Sequence, residues 1–137
     1  MDDYRKPLPV VTELNRPFWD GARREVLQVQ CCTECGHLRY PIAEVCPRCL
    51  SGGVEWVPLS GVGEVFACVT YHRAYAPEFS DDVPYTVAIV QLDEGPRMLS
   101  NVVGPGRLDA RVGDRVRVVF DAVTAQTTVP RFRLAQD

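Results

Sequence analysis

Cys31-Cys32-Thr33-Glu34-Cys35-Gly36 opens a segment that Cys46-Pro47-Arg48-Cys49 closes, and the spacing of these cysteines decides how the chain is read. Two residues separate Cys32 from Cys35, two separate Cys46 from Cys49, and ten lie between the pairs. Thiolates with that separation grip one ion from a tight turn, because amides behind the first cysteine point at its sulfur. Gly36 follows the first pair, where a left-handed backbone is usually required. Pro47 stiffens the second pair. Two such turns facing each other make a tetrahedral S₄ cage with no open position, which is the structural kind of zinc site. So short a segment buries too little apolar surface to fold alone, and the ion supplies the missing free energy. The spacing therefore predicts one structural zinc on Cys32, Cys35, Cys46 and Cys49. An iron ion would fit the same cage, but no other redox feature accompanies it. Cys31 can replace Cys32 only with a three-residue spacing, which suits the turn less well.

Outward from the cage, the chain has 137 residues, 46% hydrophobic and 24% charged, which suits one compact domain or two small ones sharing a surface. No run reaches the roughly 18 apolar residues of a membrane span. The start, Met1-Asp2-Asp3-Tyr4-Arg5-Lys6-Pro7, has no apolar core of a signal peptide. The expected compartment is the cytoplasm, where the six cysteines are metal ligands or buried thiols rather than disulfides.

Residues 1–14 read as a polar arm. Asn15 is the expected N-cap of a short helix that has Pro17 in its first turn, is anchored by Phe18 and Trp19, and is weakened by Gly21 so that it ends near Arg24. Glu25 to Gln30 then reads as a strand into the first cysteines. From Val54 onward the pattern is β. Val62 to Tyr71, Tyr85 to Leu92, Arg97 to Val103, Arg115 to Phe120 and Val129 to Leu134 give five strands, with one longer connection between the third and fourth. Five short strands close most economically into a small barrel of the OB type. The expected fold class is mainly β: an arm and helix over 1–27, a zinc ribbon over 28–57 and a five-stranded OB-fold barrel over 58–137.

Catalytic signatures are missing. No Ser-His-Asp order with local context, phosphate loop or His-Glu-x-x-His occurs. His37 reads as a surface residue of the ribbon and His72 as a strand-end residue. Asp81-Asp82 and Asp93-Glu94 fall in turns, where paired acids are usually solvated, and Cys68 reads as a small buried side chain in its strand. Arg107, Arg111, Arg115, Arg117, Arg131 and Arg133 form the one basic concentration. Three readings of it stay open: a solvated outer face, a patch for coenzyme phosphates or an acidic partner, and nucleic acid. The formal net charge of −3, made more negative by four thiolates on one Zn²⁺, counts against nucleic acid, whose phosphates call for a basic face.

The ordered series of motifs resembles a known family, the zinc-ribbon, OB-fold proteins called domain of unknown function 35 and associated with acyl-CoA metabolism. It runs through Phe18-Trp19, Cys32-x-x-Cys35-Gly36, Tyr40-Pro41, Cys46-Pro47-x-Cys49, Gly61-x-Gly63-x-Val65, Thr70-x-His72-Arg73, Pro84-Tyr85, Val112-Gly113-Asp114 and Pro130-x-Phe132. Leu50-Ser51 departs from it, standing where a glycine often follows the last ligand. The resemblance implies a rubredoxin-like ribbon and a non-catalytic subunit that assembles with a thiolase-superfamily enzyme: a sterol-carrier-type thiolase, an aldolase or an acyltransferase. A hot-dog-fold hydratase is the alternative partner. The partner would carry the catalytic groups, while this chain stabilises it and lines the channel for a coenzyme A thioester, as in steroid side-chain degradation. Phe18, Trp19, His72, Arg73 and Tyr85 become candidates for contact with acyl-CoA or partner. A free-standing acyl-CoA-binding protein and a nucleic-acid-binding module are the competing classes, the second requiring stacked aromatics on one barrel face.

Overall fold

A computed structural model of the chain describes residues 6–74 and 76–135, so residues 1–5 of the expected arm and residues 136–137 of the expected barrel lie outside the described residues. Helix α1 spans Arg16–Arg23, with proline in its first turn, where a missing N–H costs nothing. Asn15 occupies the N-cap position, but its side chain does not cap the helix. Its carboxamide instead accepts from the Thr12 amide at 2.7 Å and donates to the Val10 carbonyl at 2.9 Å. A short polar side chain here folds the arm back in place of capping.

Phe18, Gly21 and Ala22 form the buried face of α1. Gly21 has a packing role besides its low helix propensity: a Cβ there would sit 2.9 Å from both Gln28 Cγ and the Val26 carbonyl oxygen. The amides of Arg24 and Val26 return to the Gly21 carbonyl and that of Glu25 to Ala22. Residues 24–26 are thus spent on closing the helix. The strand expected from Glu25 consequently starts later, as β1 over Gln28–Cys32.

Strand β1 pairs antiparallel on one side with β2 (Leu38–Arg39) and on the other with β3 (Val54–Pro58), giving a three-stranded ribbon sheet. The chain then enters β4 (Val62–Tyr71), β5 (Tyr85–Leu92), β6 (Arg97–Val103), β7 (Arg115–Ala122) and β8 (Thr128–Leu134). These close in the order β4-β5-β6-β8-β7, with β6 and β8 parallel. Closure removes the open edges. The fold class is therefore the expected one: mostly strand, one short helix, a ribbon and a five-stranded barrel.

Alternation along β5 sends Thr86, Ala88, Val90 and Leu92 inward. They meet Val65, Met98, Val102, Val116 and Phe132 in a core that Phe18 and Leu27 join from the N-terminal side. Gly63 lets β5 approach: a Cβ there would stand 2.4 Å from the Gln91 carbonyl oxygen. The sequence suggested one long connection, between the third and fourth barrel strands. There are two, and the longer, residues 72–84, joins β4 to β5 through a 3₁₀ turn at Pro77–Phe79. It is anchored by Phe79 against Tyr85, a tertiary contact without a local sequence signal. Among the described residues no helix is long and apolar enough to cross a membrane.

Candidate metal centre

Cys32 ends β1 and Cys35 lies in the turn before β2, while Cys46 and Cys49 sit in the loop before β3. The two turns are built alike. The Gly36 amide donates to the Cys32 carbonyl at 2.9 Å, and the Leu50 amide to the Cys46 carbonyl at 2.8 Å. Outside them, the Cys32 amide donates to the His37 carbonyl and the Cys46 amide to the Ser51 carbonyl. Gly36 takes φ +76°, as its position required, and Leu50 takes φ +66° at the equivalent place. The second turn thus keeps the shape of the first without the glycine, at a steric cost of roughly 1–2 kcal/mol.

These turns bring the four sulfurs within 4.8 Å of one another, with Cys32 Sγ 3.5 Å from Cys49 Sγ and Cys35 Sγ 3.6 Å from Cys46 Sγ. A tetrahedron with Zn–S near 2.3 Å has S–S edges of about 3.8 Å, close to the two short separations, so the donor set fits zinc. The backbone amide of Arg48 donates to Cys46 Sγ at 3.4 Å, as an amide behind a ligand should. Cys32 and Cys46 are buried, whereas Cys35 and Cys49 are exposed. The Cys35 amide holds the Cys32 thiol down to about 6. Cys49 moves the other way: against the pull of the Ser51 amide, hydrogen bonding with Cys32 and partial desolvation leave it pushed up to about 12. Four thiolates do not coexist at this spacing without a cation between them.

Cys31 is outside the group; its Sγ lies 3.6 Å from the Gly36 carbonyl oxygen. His37 is half-buried and also outside it. Cys68 is half-buried rather than buried, with its thiol 3.5 Å from the Ala110 carbonyl oxygen. Behind the cage lies a feature that sequence reasoning missed. Gln30 is fully buried, and its side-chain oxygen accepts from Arg39 Nε at 3.2 Å and from the Ala43 amide at 2.9 Å. Arg39 also donates to the Ala43 carbonyl, which locks residues 39–43 to the ribbon sheet. No local pattern separates these two polar side chains from solvated ones; only the pairing of Gln30 with Arg39 across β1 and β2 does.

The contact candidates scatter. Phe18 is 3% exposed, packing edge-on against Trp19 with ring centroids 5.0 Å apart, so it is a core side chain and offers no contact surface. Trp19 and Tyr85 do come together, on a cavity of about 600 Å³ also lined by Lys6, Phe79, Arg107 and Arg131. Tyr85 also stacks on Tyr71, with ring centroids 5.2 Å apart. His72 and Arg73 are exposed beyond the end of β4 and do not line that cavity. The arginines do not form one patch either. Arg115 makes a two-pronged bond to Asp93, Arg131 pairs with Asp121, and exposed Arg117 and Arg133 face each other across β7 and β8.

Two family models match the chain: "ChsH2, rubredoxin-like zinc ribbon domain" over residues 19–55 and "ChsH2, C-terminal OB-fold domain" over 56–121. A "DUF35 domain-containing scaffold protein" of Methanothermobacter thermautotrophicus is 33% identical, over 83% of this chain and 86% of that protein. A "Probable enoyl-CoA hydratase alpha subunit" of Thermomonospora curvata is also 33% identical, over 95% of this chain. So is the "3-oxo-4,17-pregnadiene-20-carboxyl-CoA hydratase alpha subunit" of Mycobacterium tuberculosis, over 75% of this chain. The matched regions span only 40% and 32% of those two longer subunits. Among solved structures, a chain of "Ltp2-ChsH2(DUF35) aldolase" superposes with a TM-score of 0.84 at 31% identity, covering 94% of this chain and all of that one.

Proposed function

The chain belongs to the ChsH2, or DUF35, family of zinc-ribbon and OB-fold proteins, and we propose that it is a non-catalytic accessory subunit of a thiolase-superfamily enzyme acting on acyl-CoA thioesters. The observation that carries this reading is the end-to-end likeness to a chain whose structure is described as an aldolase assembled from Ltp2 and ChsH2. On this reading the partner holds the groups that make or break the carbon–carbon bond. This chain, working in the cytoplasm, stabilises the partner and contributes one wall of its acyl-CoA channel. The cavity that joins Trp19 and Tyr85 is the part of the surface best suited to that wall, because aromatic faces lie there beside Arg107. A steroid side chain is one candidate acyl group, suggested by the name of the mycobacterial relative.

We assign one structural Zn²⁺ to Cys32, Cys35, Cys46 and Cys49. Once bound, the ion cross-links the two turns and leaves no position for water or substrate. The working division is an arm and helix over 1–27, a ribbon over 28–57 and a barrel over 58–137. The ribbon and barrel thus serve as a scaffold, and the barrel core is joined by Phe18 and Leu27.

A second reading rests on a specific observation: two relatives are named hydratase α subunits. In that case the partner is a hot-dog-fold hydratase. Affinity capture of the tagged chain from its native cytoplasm, followed by mass spectrometry of stoichiometric partners, separates the two. A thiolase-superfamily enzyme is the expected partner, and a hydratase would select the second reading. Recovery of the chain alone, or with nucleic acid only, would overturn both.

A further inference from the structure

On the outer face of β7 and β8, two arginines have carboxylate partners and two have none. Arg115 is held by Asp93 and lies opposite Glu64 across β4 and β7, and Arg131 is held by Asp121 and Asn101. Between these two, in register, stand Arg117 and Arg133. The row that holds them reads Val62, Arg117, Arg133 and Val103 through β4, β7, β8 and β6, and among the described residues no carboxylate pairs with either arginine. Residues directly opposite in an antiparallel pair have Cα atoms about 4.5–5.5 Å apart, so like charges there repel. An anion set between the two guanidinium groups removes that repulsion and gains charge-assisted hydrogen bonds.

The space for such an anion is open. Arg117, Val119, Arg133, Leu134 and Ala135 line a concavity of about 360 Å³, and both arginines are exposed, so a ligand reaches them without rearrangement. Two guanidinium groups carry +2 and present donors from two strands. A phosphate monoester, with a charge of about −1.5 to −2 and three acceptor oxygens, matches them, whereas a single carboxylate neutralises one arginine only. Single-stranded nucleic acid fits less well, because no aromatic ring lines the concavity to stack a base. The concavity also adjoins the cavity that holds Trp19 and Tyr85. Val103, opposite Arg133, lines that cavity, and so does Arg131, two residues back on the same face of β8 and about 7 Å away along the strand.

We propose that Arg117 and Arg133 form a phosphate clamp, and that the phosphate is one carried by a coenzyme A thioester whose remainder extends toward Trp19 and Tyr85. The proposal rests on the accessory-subunit reading, which supplies the ligand, and adds the residues that hold the ligand's charged end.

The test is calorimetric titration of coenzyme A, and separately of inorganic phosphate, into the full chain alone and into its complex with the purified thiolase-superfamily enzyme. Arg117→Gln and Arg133→Gln each remove one charge at an exposed position. Each should weaken coenzyme A binding about tenfold and flatten its salt dependence. Zinc content and affinity for the enzyme should stay as in the wild type, and the thermal midpoint should not fall. Arg48→Gln, at an exposed position of the ribbon, is the comparison and should bind coenzyme A as the wild type does. Coenzyme A binding that survives both barrel substitutions, or that occurs in neither the chain nor the complex, would overturn the proposal. So would variants that lose affinity for the enzyme and keep it for the ligand, since the pair would then face a carboxylate of the partner. Inorganic phosphate bound as tightly as coenzyme A, and lost in both variants, would overturn the coenzyme as the source of the phosphate. If the wild-type chain forms no complex with such an enzyme, the functional reading falls, while the titrations into the free chain still decide the clamp.

Discussion

Removal of the metal should unfold the ribbon and spare the barrel. Structural zinc contributes an apparent ~10–16 kcal/mol in small zinc domains near neutral pH. A domain of 137 residues has a net stability of only about 7–20 kcal/mol, at roughly 0.05–0.15 kcal/mol per residue. Beyond Tyr40, Ile42 and Trp56, which are partly buried against the barrel core, the ribbon has few apolar side chains to hold it. Between residues 28 and 57 the wholly buried aliphatic side chain is Val29, which is worth about 1.5–3 kcal/mol; the remaining buried groups are Cys32, Cys46 and the polar pair Gln30 and Arg39. The barrel keeps Val65, Val90, Leu92, Met98, Val102, Val116 and Phe132 whether or not the metal is bound. Hydrogen exchange read by mass spectrometry, with and without a strong chelator, is the direct assay. The β1 and β3 amides should lose protection while β4 to β8 keep theirs, and Cys46→Ser should reproduce the effect. Simultaneous loss of protection in the barrel, or persistent protection of β1 without zinc, would refute this division of stability.

Gly63→Ala should destabilise the chain by about 1–3 kcal/mol, because the new Cβ meets backbone of β5 that cannot swing aside; an unchanged denaturant midpoint would contradict this. Leu50→Gly should raise the chelator concentration needed to strip the metal, since it relieves a left-handed non-glycine residue worth roughly 1–2 kcal/mol, less the added freedom of the unfolded chain. A lower midpoint would show that Leu50 makes a contact outweighing that strain. Hydrogen bonding from Arg115 holds the Asp93 carboxyl below its ordinary value. A depressed carboxyl adds stability above its unfolded pKa, near about 4, and loses it as pH falls through the folded value. Thermal melts should therefore show a gap between wild type and Asp93→Asn that is constant from about pH 6 to 8 and narrows below about pH 4. A gap that widens on acidification would be the wrong sign.

The parts of this fold legible in sequence were those with local causes. Branched and aromatic alternation marked Val62 to Tyr71, a near-continuous apolar run marked Tyr85 to Leu92, turn residues marked the strands that follow, and cysteine spacing marked the four sulfurs that the turns bring together. What could not be read depends on partners distant in the chain. Glu25 looks like the start of a strand until Gly21 and Ala22 are seen to accept its turn's amides. Gln30 and Arg39 look solvated until β1 and β2 pair and the segment around Ala43 folds over them. Phe18 is an expected apolar anchor of the helix, but that the barrel core closes on it, and leaves it out of reach as a contact residue, follows only from the fold. The arginines, close together in the chain, stayed open to three readings because the pairing of Arg115 with Asp93 and of Arg131 with Asp121, which neutralises two of them, is made across the barrel.

The most direct test of the accessory role is to assay acyl-CoA carbon–carbon bond cleavage by the purified partner enzyme alone, by this chain alone and by the two mixed in equal amounts. The account predicts turnover in the mixture, little or none from the partner by itself and none from this chain. Equal turnover by the partner without this chain, or turnover by this chain alone, would contradict it.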